Sequence, residues 1–247
     1  VTGMGVNVAA VSKAIRVVAP NCFIIVDGIQ HAAHGLLDIE NYDIDGYVIS
    51  PYKMFSRHGY GVAWVSNRLT SLVHEQLFNG PSEAWELGTR DTGSYATMSD
   101  VVSYLDWLGT EVLGTEGSEA NDRRKRLVAA GQAIKAHEKT LIDTMLYGKE
   151  HLKGVIELDG VDILGGADNP LREGLVSLRV RGMASSDLVS ALRDHNIRAH
   201  VRKDDHYSGN ILAPLGWTDC VRISLCHYNT AAEVTSLLSA LTKIVKQ

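Results

Sequence analysis

The sequence is poor in the features that mark several large classes of protein. Its three cysteines, Cys22, Cys220 and Cys226, make no CxxC pair and are too few for a disulfide framework. That excludes a small stapled secreted fold and makes a reducing compartment, the cytoplasm, the expected location. No apolar run approaches the roughly 18 residues of a membrane span. The opening Val1-Thr2-Gly3-Met4-Gly5 has neither the charged nor the apolar region of a secretory signal. Positive charge is not in excess: 24 Lys and Arg against 29 Asp and Glu leave a formal net charge of −5, so nothing favours nucleic acid or an anionic membrane as partner. His31/His34 and His195/His200/His206 fall in no recognised metal spacing, and no metal is expected. Gly3-Met4-Gly5 lacks the preceding strand and third glycine of a dinucleotide fingerprint. Arg123-Arg124-Lys125-Arg126 reads as a solvated helical face. There is no internal repeat and no low-complexity tract.

What is present is an ordinary globular composition, 45% hydrophobic in 247 residues, enough for one large or two modest domains. Residues 8–18 have helical spacing, with Val8, Val11, Ile15 and Val18 on one face and Pro20-Asn21 as the stop. Residues 23–26 and 47–50 are unbroken apolar runs too short for helices. They are expected as strands buried on both faces, as in a parallel sheet covered by helices. A strand at 61–66, a helix at 69–77 and the breaker Asn79-Gly80-Pro81 follow. This alternation predicts the later half of an α/β domain. A helix over 97–108 leads to Gly109, and a long one over 117–152 carries Leu127, Ile134, Leu141, Met145 and Leu152 as its stripe. The pattern then changes to strands at 155–158 and 175–180, a helix at 186–194, and strands at 197–201 and 221–225. Thr230-Ala231-Ala232-Glu233 is a capping box that opens a closing helix, with Val234, Leu237, Leu238, Leu241 and Ile244/Val245 as its stripe. The expectation is an α/β domain over residues 1–112 and a smaller α+β domain over 113–247, with the boundary near 109–117.

The ends of the two apolar runs carry the chemistry. In open α/β sheets ligands bind at the carboxyl edge of the strands. Asp27 and Gln30 follow the first run, Ser50 and Lys53 the second, so all four are expected on one edge. Lys53 stands in a loop just after a buried strand, where a Schiff-base lysine has to stand. Its amine must lose a proton to attack an aldehyde, and desolvation or neighbouring positive charge promotes that. Asp27 is of the type that holds a ring nitrogen protonated. Taken singly, each residue also has a plain reading as an exposed loop lysine, a turn-capping aspartate or a solvated glutamine.

Val26-Asp27-Gly28-Ile29-Gln30, Ser50-Pro51-Tyr52-Lys53 and Gly59-Tyr60-Gly61-Val62 together resemble the cofactor segment of class V aminotransferases. Two later stretches agree, Trp85-Glu86-Leu87-Gly88-Thr89-Arg90-Asp91 and Arg222-Ile223-Ser224-Leu225-Cys226-His227-Tyr228-Asn229-Thr230. The resemblance implies the fold type I architecture of pyridoxal phosphate (PLP) enzymes: the later part of the large parallel-sheet α/β domain, then a small α+β domain. It implies PLP held by Lys53, with Asp27 on the pyridine nitrogen, Gln30 on the phenolic oxygen, and Ser50 and Tyr52 as phosphate donors. It further implies a homodimer, in which Thr89 reaches the partner's phosphate, and a small amino acid or amine as substrate, with Arg222 on its α-carboxylate. Arg198 and Arg202 are weaker candidates for the same pocket.

Two departures from the desulfurases in this family bear on the reaction. Tyr52 stands where they have the histidine before the lysine, and Ser56-Arg57-His58 replaces a Gly-Pro-Thr type of sequence. The loop before Arg222, Arg202-Lys203-Asp204-Asp205-His206-Tyr207-Ser208-Gly209, has no cysteine, so persulfide chemistry is not expected. Transamination, epimerisation and β-elimination stay open. The alternatives are a carbon–sulfur lyase, a desulfurase-like enzyme, or a non-catalytic fragment or half of a split protein. Family members carry an upstream region, so the chain is read as the C-terminal portion of a longer protein.

Overall fold

The computed structural model describes residues 1–88, 90–115 and 122–246. The chain divides into two compact units, Val6–Ala133 and a second made of Val1–Gly5 with Ile134–Gln247. The division lies within a long helix, whereas the change of pattern in the sequence lies at the end of the helix before it.

The first unit opens with helix α1 (Val8–Val18), where the Asn7 side chain accepts from the Ala10 N–H at 3.0 Å. Val8 and Ile15 pack on the core of this unit as expected, but Val11 and Val18 are exposed. The remaining buried position is Ser12, whose hydroxyl donates to the carbonyls of Ala9 and Tyr42 and so needs no water. Strands β1 (Ile25–Asp27), β2 (Gly46–Ile49) and β3 (Val62–Val65) form a sheet in that order. β1 and β2 run parallel, whereas β3 returns antiparallel. Of the two runs expected to be buried on both faces, only β2 is. β1 is an edge strand with Ile25 60% exposed.

The helix expected at 69–77 is a single turn, Asn67–Thr70, capped by the Ser66 hydroxyl. Val73 and Leu77 beyond it are exposed, and propensity without a buried face does not hold a helix. Helix α2 (Thr92–Leu113) begins earlier than expected because the Asp91 carboxylate accepts from the Ser94 N–H at 3.2 Å. It also runs through Gly109 instead of stopping there. A Cβ on Gly109 would collide with the Arg126 carbonyl of helix α3 (Arg123–Tyr147), so this glycine marks a close helix crossing. Arg126 is likewise no solvated residue: it donates to Asp106 at 2.7 Å.

In the second unit β4 (Val161–Ile163), β5 (Leu175–Val180), β6 (His200–Lys203) and β7 (Asp219–Ser224) make a wholly antiparallel sheet in the order β4-β5-β7-β6. Residues 155–158, expected as a strand, form a 3-10 turn, and the strand starts after the left-handed Gly160. The end of α3, with helices α4 (Ser185–Asp194) and α5 (Ala231–Val245), covers one sheet face. There Leu141, Met145, Val176, Leu178, Val221 and Leu238 are fully buried. The capping box at Thr230 is formed, and Val234, Leu237, Leu238, Leu241 and Ile244 are all buried. Residues 1–5 lie along the same unit. The Ser177 hydroxyl donates to Val1 O at 2.6 Å, and Glu173 N–H to Gly3 O at 2.8 Å. Gly3 has φ +74°, and a Cβ there would sit 2.6 Å from Leu175 O. Gly3-Met4-Gly5 is thus a close-approach segment. Among the described residues no helix is long and apolar enough to cross a membrane.

Candidate active site

The parallel register of β1 and β2 sets the first group of residues. Asp27 pairs with Val48, and the Gly28 N–H donates to Val48 O at 3.0 Å, so both strands end together. Asp27 therefore stands at the same sheet edge from which Ser50 and the 3-10 turn Pro51–Met54 emerge. Gly28 is a packing requirement, since a Cβ there would run into the buried Tyr47 ring. One Asp27 oxygen accepts from the Ile29 N–H at 3.1 Å, which fixes the carboxylate while leaving it exposed.

Lys53 is half-buried in the turn. Its amine lies 5.5 Å from the Tyr52 ring centroid and, among the described residues, has no hydrogen bond or ion pair. The turn closes on Phe55 in the left-handed region, φ 70°, where a bulky side chain is strained. Ser50 makes no capping bond to the turn it precedes. Tyr52 stacks on His58 with ring centroids 4.1 Å apart. Gln30, just past the end of β1, precedes an earlier 3-10 turn, His31–Ala33, with its side chain exposed and no cap bond.

The segment after Lys53 is tied to the start of α2. The Ser56 hydroxyl lies 2.6 Å from both Tyr60 OH and Thr97 Oγ1. Arg57 pairs with Asp91 at 3.2 Å, with both side chains about half exposed. Neither tie to α2 is visible in the sequence, because Ser56 and Thr97, and Arg57 and Asp91, are over thirty residues apart. Thr89 lies outside the described residues.

Arg222 belongs to the second unit. Strand alternation puts Cys220 and Arg222 on the face opposite the helix-covered core of Val221 and Ile223. The Arg222 Nε is buried and has no hydrogen-bond partner. Burial first, and then Arg202, push this guanidinium below its ordinary value. Arg198 is exposed.

All three cysteines are free. Burial, followed by the charge of Glu138, pushes the Cys226 thiol up to about 12, and burial raises Cys220 as well. A neutral buried thiol is not a nucleophile at pH 7.

A model of the class V aminotransferases matches residues 1–237. The chain belongs to this family. Members depend on PLP, and the fold is that of fold type I. A probable cysteine desulfurase of Halobacterium salinarum is 26% identical over 234 residues, which cover 89% of this chain and 49% of that protein. An aminotransferase-like protein of Gibberella zeae is 26% identical over 97% of this chain and 55% of its own. The chain thus spans about half the length of the curated relatives it matches. Among solved structures, the apo cysteine desulfurase of Thermococcus onnurineus aligns with a TM-score of 0.76 at 20% identity, over 99% of this chain and 57% of that one.

The residues present fit the family cofactor. An exposed carboxylate, a lysine amine without a partner, and Ser50 and Tyr52 hydroxyls that make no hydrogen bond among the described residues lie along one strand edge and the turn it feeds.

Proposed function

We propose that this chain is the Lys53-bearing part of a PLP-dependent enzyme that acts on an amino acid or amine by a reaction other than persulfide transfer. The observation that carries the reading is the β1/β2 register. It brings Asp27 and the Ser50–Lys53 turn to one edge, with the lysine amine uncommitted. Lys53 would hold the cofactor and afterwards move the proton at the substrate α-carbon. Asp27 would keep the ring nitrogen protonated; Gln30 would donate to the phenolic oxygen, and Ser50 and Tyr52 to the phosphate. When bound, PLP supplies an electron sink for charge at the α-carbon. Arg222 would take the substrate carboxylate, for which its planar fork suits and its partnerless Nε speaks. The raised Cys220 and Cys226 thiols argue against either as a nucleophile, although relatives are named desulfurases. That leaves transamination, epimerisation or elimination, with a carbon–sulfur lyase as the nearest alternative. Dimerisation through the segment around Gly88-Thr89 and a cytoplasmic location, in keeping with three free cysteines, belong to the same reading.

Borohydride reduction in the presence of PLP, followed by peptide mass mapping, tests it. The pyridoxyl label is expected on Lys53, and Lys53→Ala should remove it with the far-ultraviolet circular dichroism unchanged. A label on another lysine with Lys53 unmodified would sink the reading.

A further inference from the structure

The antiparallel register of β6 and β7 sets His200 opposite Arg222 and Arg202 opposite Cys220. Directly paired residues share a face, so Arg202 and Arg222 stand as diagonal neighbours, about 7–8 Å apart at the backbone, on the face where Cys220 packs with Leu164, Leu212 and Trp217. Two like charges in that relation repel. Among the described residues neither arginine enters an ion pair. The Arg222 Nε is buried without a partner.

The carboxylates nearby are committed elsewhere. Asp205 accepts from the N–H groups of Tyr207 at 2.9 Å and Ser208 at 3.2 Å, and Asp219 accepts from the Ser185 hydroxyl. Asp205 feels Arg202 as the last of the influences that lower it, from beyond ion-pair distance. Arg202 is moreover aimed independently of Arg222. Its Nε donates at 3.1 Å to the hydroxyl of Ser208, a residue 1% exposed, and among the described residues its terminal nitrogens make no hydrogen bond.

We propose that Arg202 and Arg222 form a two-anion site for an α-amino dicarboxylic acid, Arg222 taking the α-carboxylate and Arg202 the carboxylate of the side chain. The proposal rests on the reading of Arg222 given above. A half-buried cation without a counter-ion is costly, and each planar fork is saturated by one carboxylate held through two parallel hydrogen bonds. A single carboxylate would have to bridge two forks set on different strands and would leave one of them unfilled. A ligand with two carboxylates fills both.

The test is calorimetric titration of the 247-residue chain with succinate, propionate, L-aspartate and L-alanine. Each dicarboxylate is expected to bind at least tenfold more tightly than its monocarboxylate counterpart. Arg202→Gln should erase that difference and leave propionate and L-alanine within about twofold, while Arg222→Gln should weaken all four. Arg202→Lys, which keeps the charge but not the fork, should restore part of the preference, and circular dichroism checks the fold of each variant. If Arg202→Gln weakens all four equally, the two arginines clamp one carboxylate and the proposal is wrong. Equal binding of mono- and dicarboxylates, or binding of none, overturns it as well. None of these outcomes touches the Lys53 labelling, so that reading stands or falls separately, and insensitivity of every ligand to Arg222→Gln would refute the carboxylate role of Arg222 itself.

Discussion

The most committed side chain outside the candidate site is Asp45, which is 3% exposed. It accepts from Arg68 at 2.8 and 2.6 Å, Arg16 at 3.0 Å, the Ile24 N–H at 2.9 Å and the Ser66 hydroxyl at 3.2 Å. Arg68 first, against the opposing effect of burial, holds its carboxyl well below the ordinary range. A depressed folded value means that stability is fully present above the unfolded value of about 3.9 and is lost as pH falls below it. Asp45→Ala should cost about 3 kcal/mol, the low end for a broken buried pair because the Arg68 side chain is 39% exposed. Urea midpoints between pH 7 and pH 3 provide the check. The wild type should lose stability on the acid side, and Asp45→Asn, with no proton to gain, should show a shallower acid limb. Parallel limbs would show that other carboxylates govern it. None of this was legible in the sequence, since Arg16, Asp45 and Arg68 meet only after the chain has turned back twice. The placement of Asp27 and Lys53 at one sheet edge was legible because Asp27 ends β1 and Lys53 lies in the turn that follows β2, and a strand end fixes where the next few residues go.

At the scale of elements, the end of β1 depends on one missing atom. Gly28 lies against the Tyr47 ring, and Tyr47 is 2% exposed, so the ring cannot swing into solvent without opening the core. Gly28→Ala should therefore destabilise by about 1–3 kcal/mol through overpacking. In a Tyr47→Val background the same change should cost clearly less, because the obstructing ring is gone. A double-mutant cycle by chemical denaturation measures this, and additive costs would mean that Gly28 is needed for its backbone freedom instead. Helix limits show a related lesson. Thr230 and Glu233 announce the start of α5 in the sequence, and the capping box is there. Asp91 caps α2 with Ser94, not a Glu or Gln, three residues on, and Gly109 passes for a stop when it is a crossing. Caps made of neighbours can be read locally, whereas a glycine chosen for a helix contact cannot.

Over the whole molecule, apolar residues are unevenly covered. Leu238 has no exposed surface within the core of the second unit, while Ile25 on β1 is largely exposed. Leu238→Ala should cost about 2–5 kcal/mol, with Ile25→Ala within about 0.5 kcal/mol of wild type. Comparison of denaturant midpoints decides it, and a comparable loss at Ile25 would mean that β1 is covered in solution by something else. The sequence alone could not make this distinction, because both residues lie in apolar runs of strand or helix character.

By itself the sequence determined the family, most of the strands and helices, and which polar residues follow the ends of the first two strands. Those features are local: a period of two or 3.6, a cap, a short motif. Only the tertiary structure decided that β3 returns antiparallel, that Arg57 pairs with Asp91, and that Arg202 and Arg222 share a sheet face and, among the described residues, enter no ion pair. The physical reason is the same each time. Burial, charge pairing and strand register depend on groups far apart in the chain, and their energies exist only once folding has brought those groups within a few ångströms.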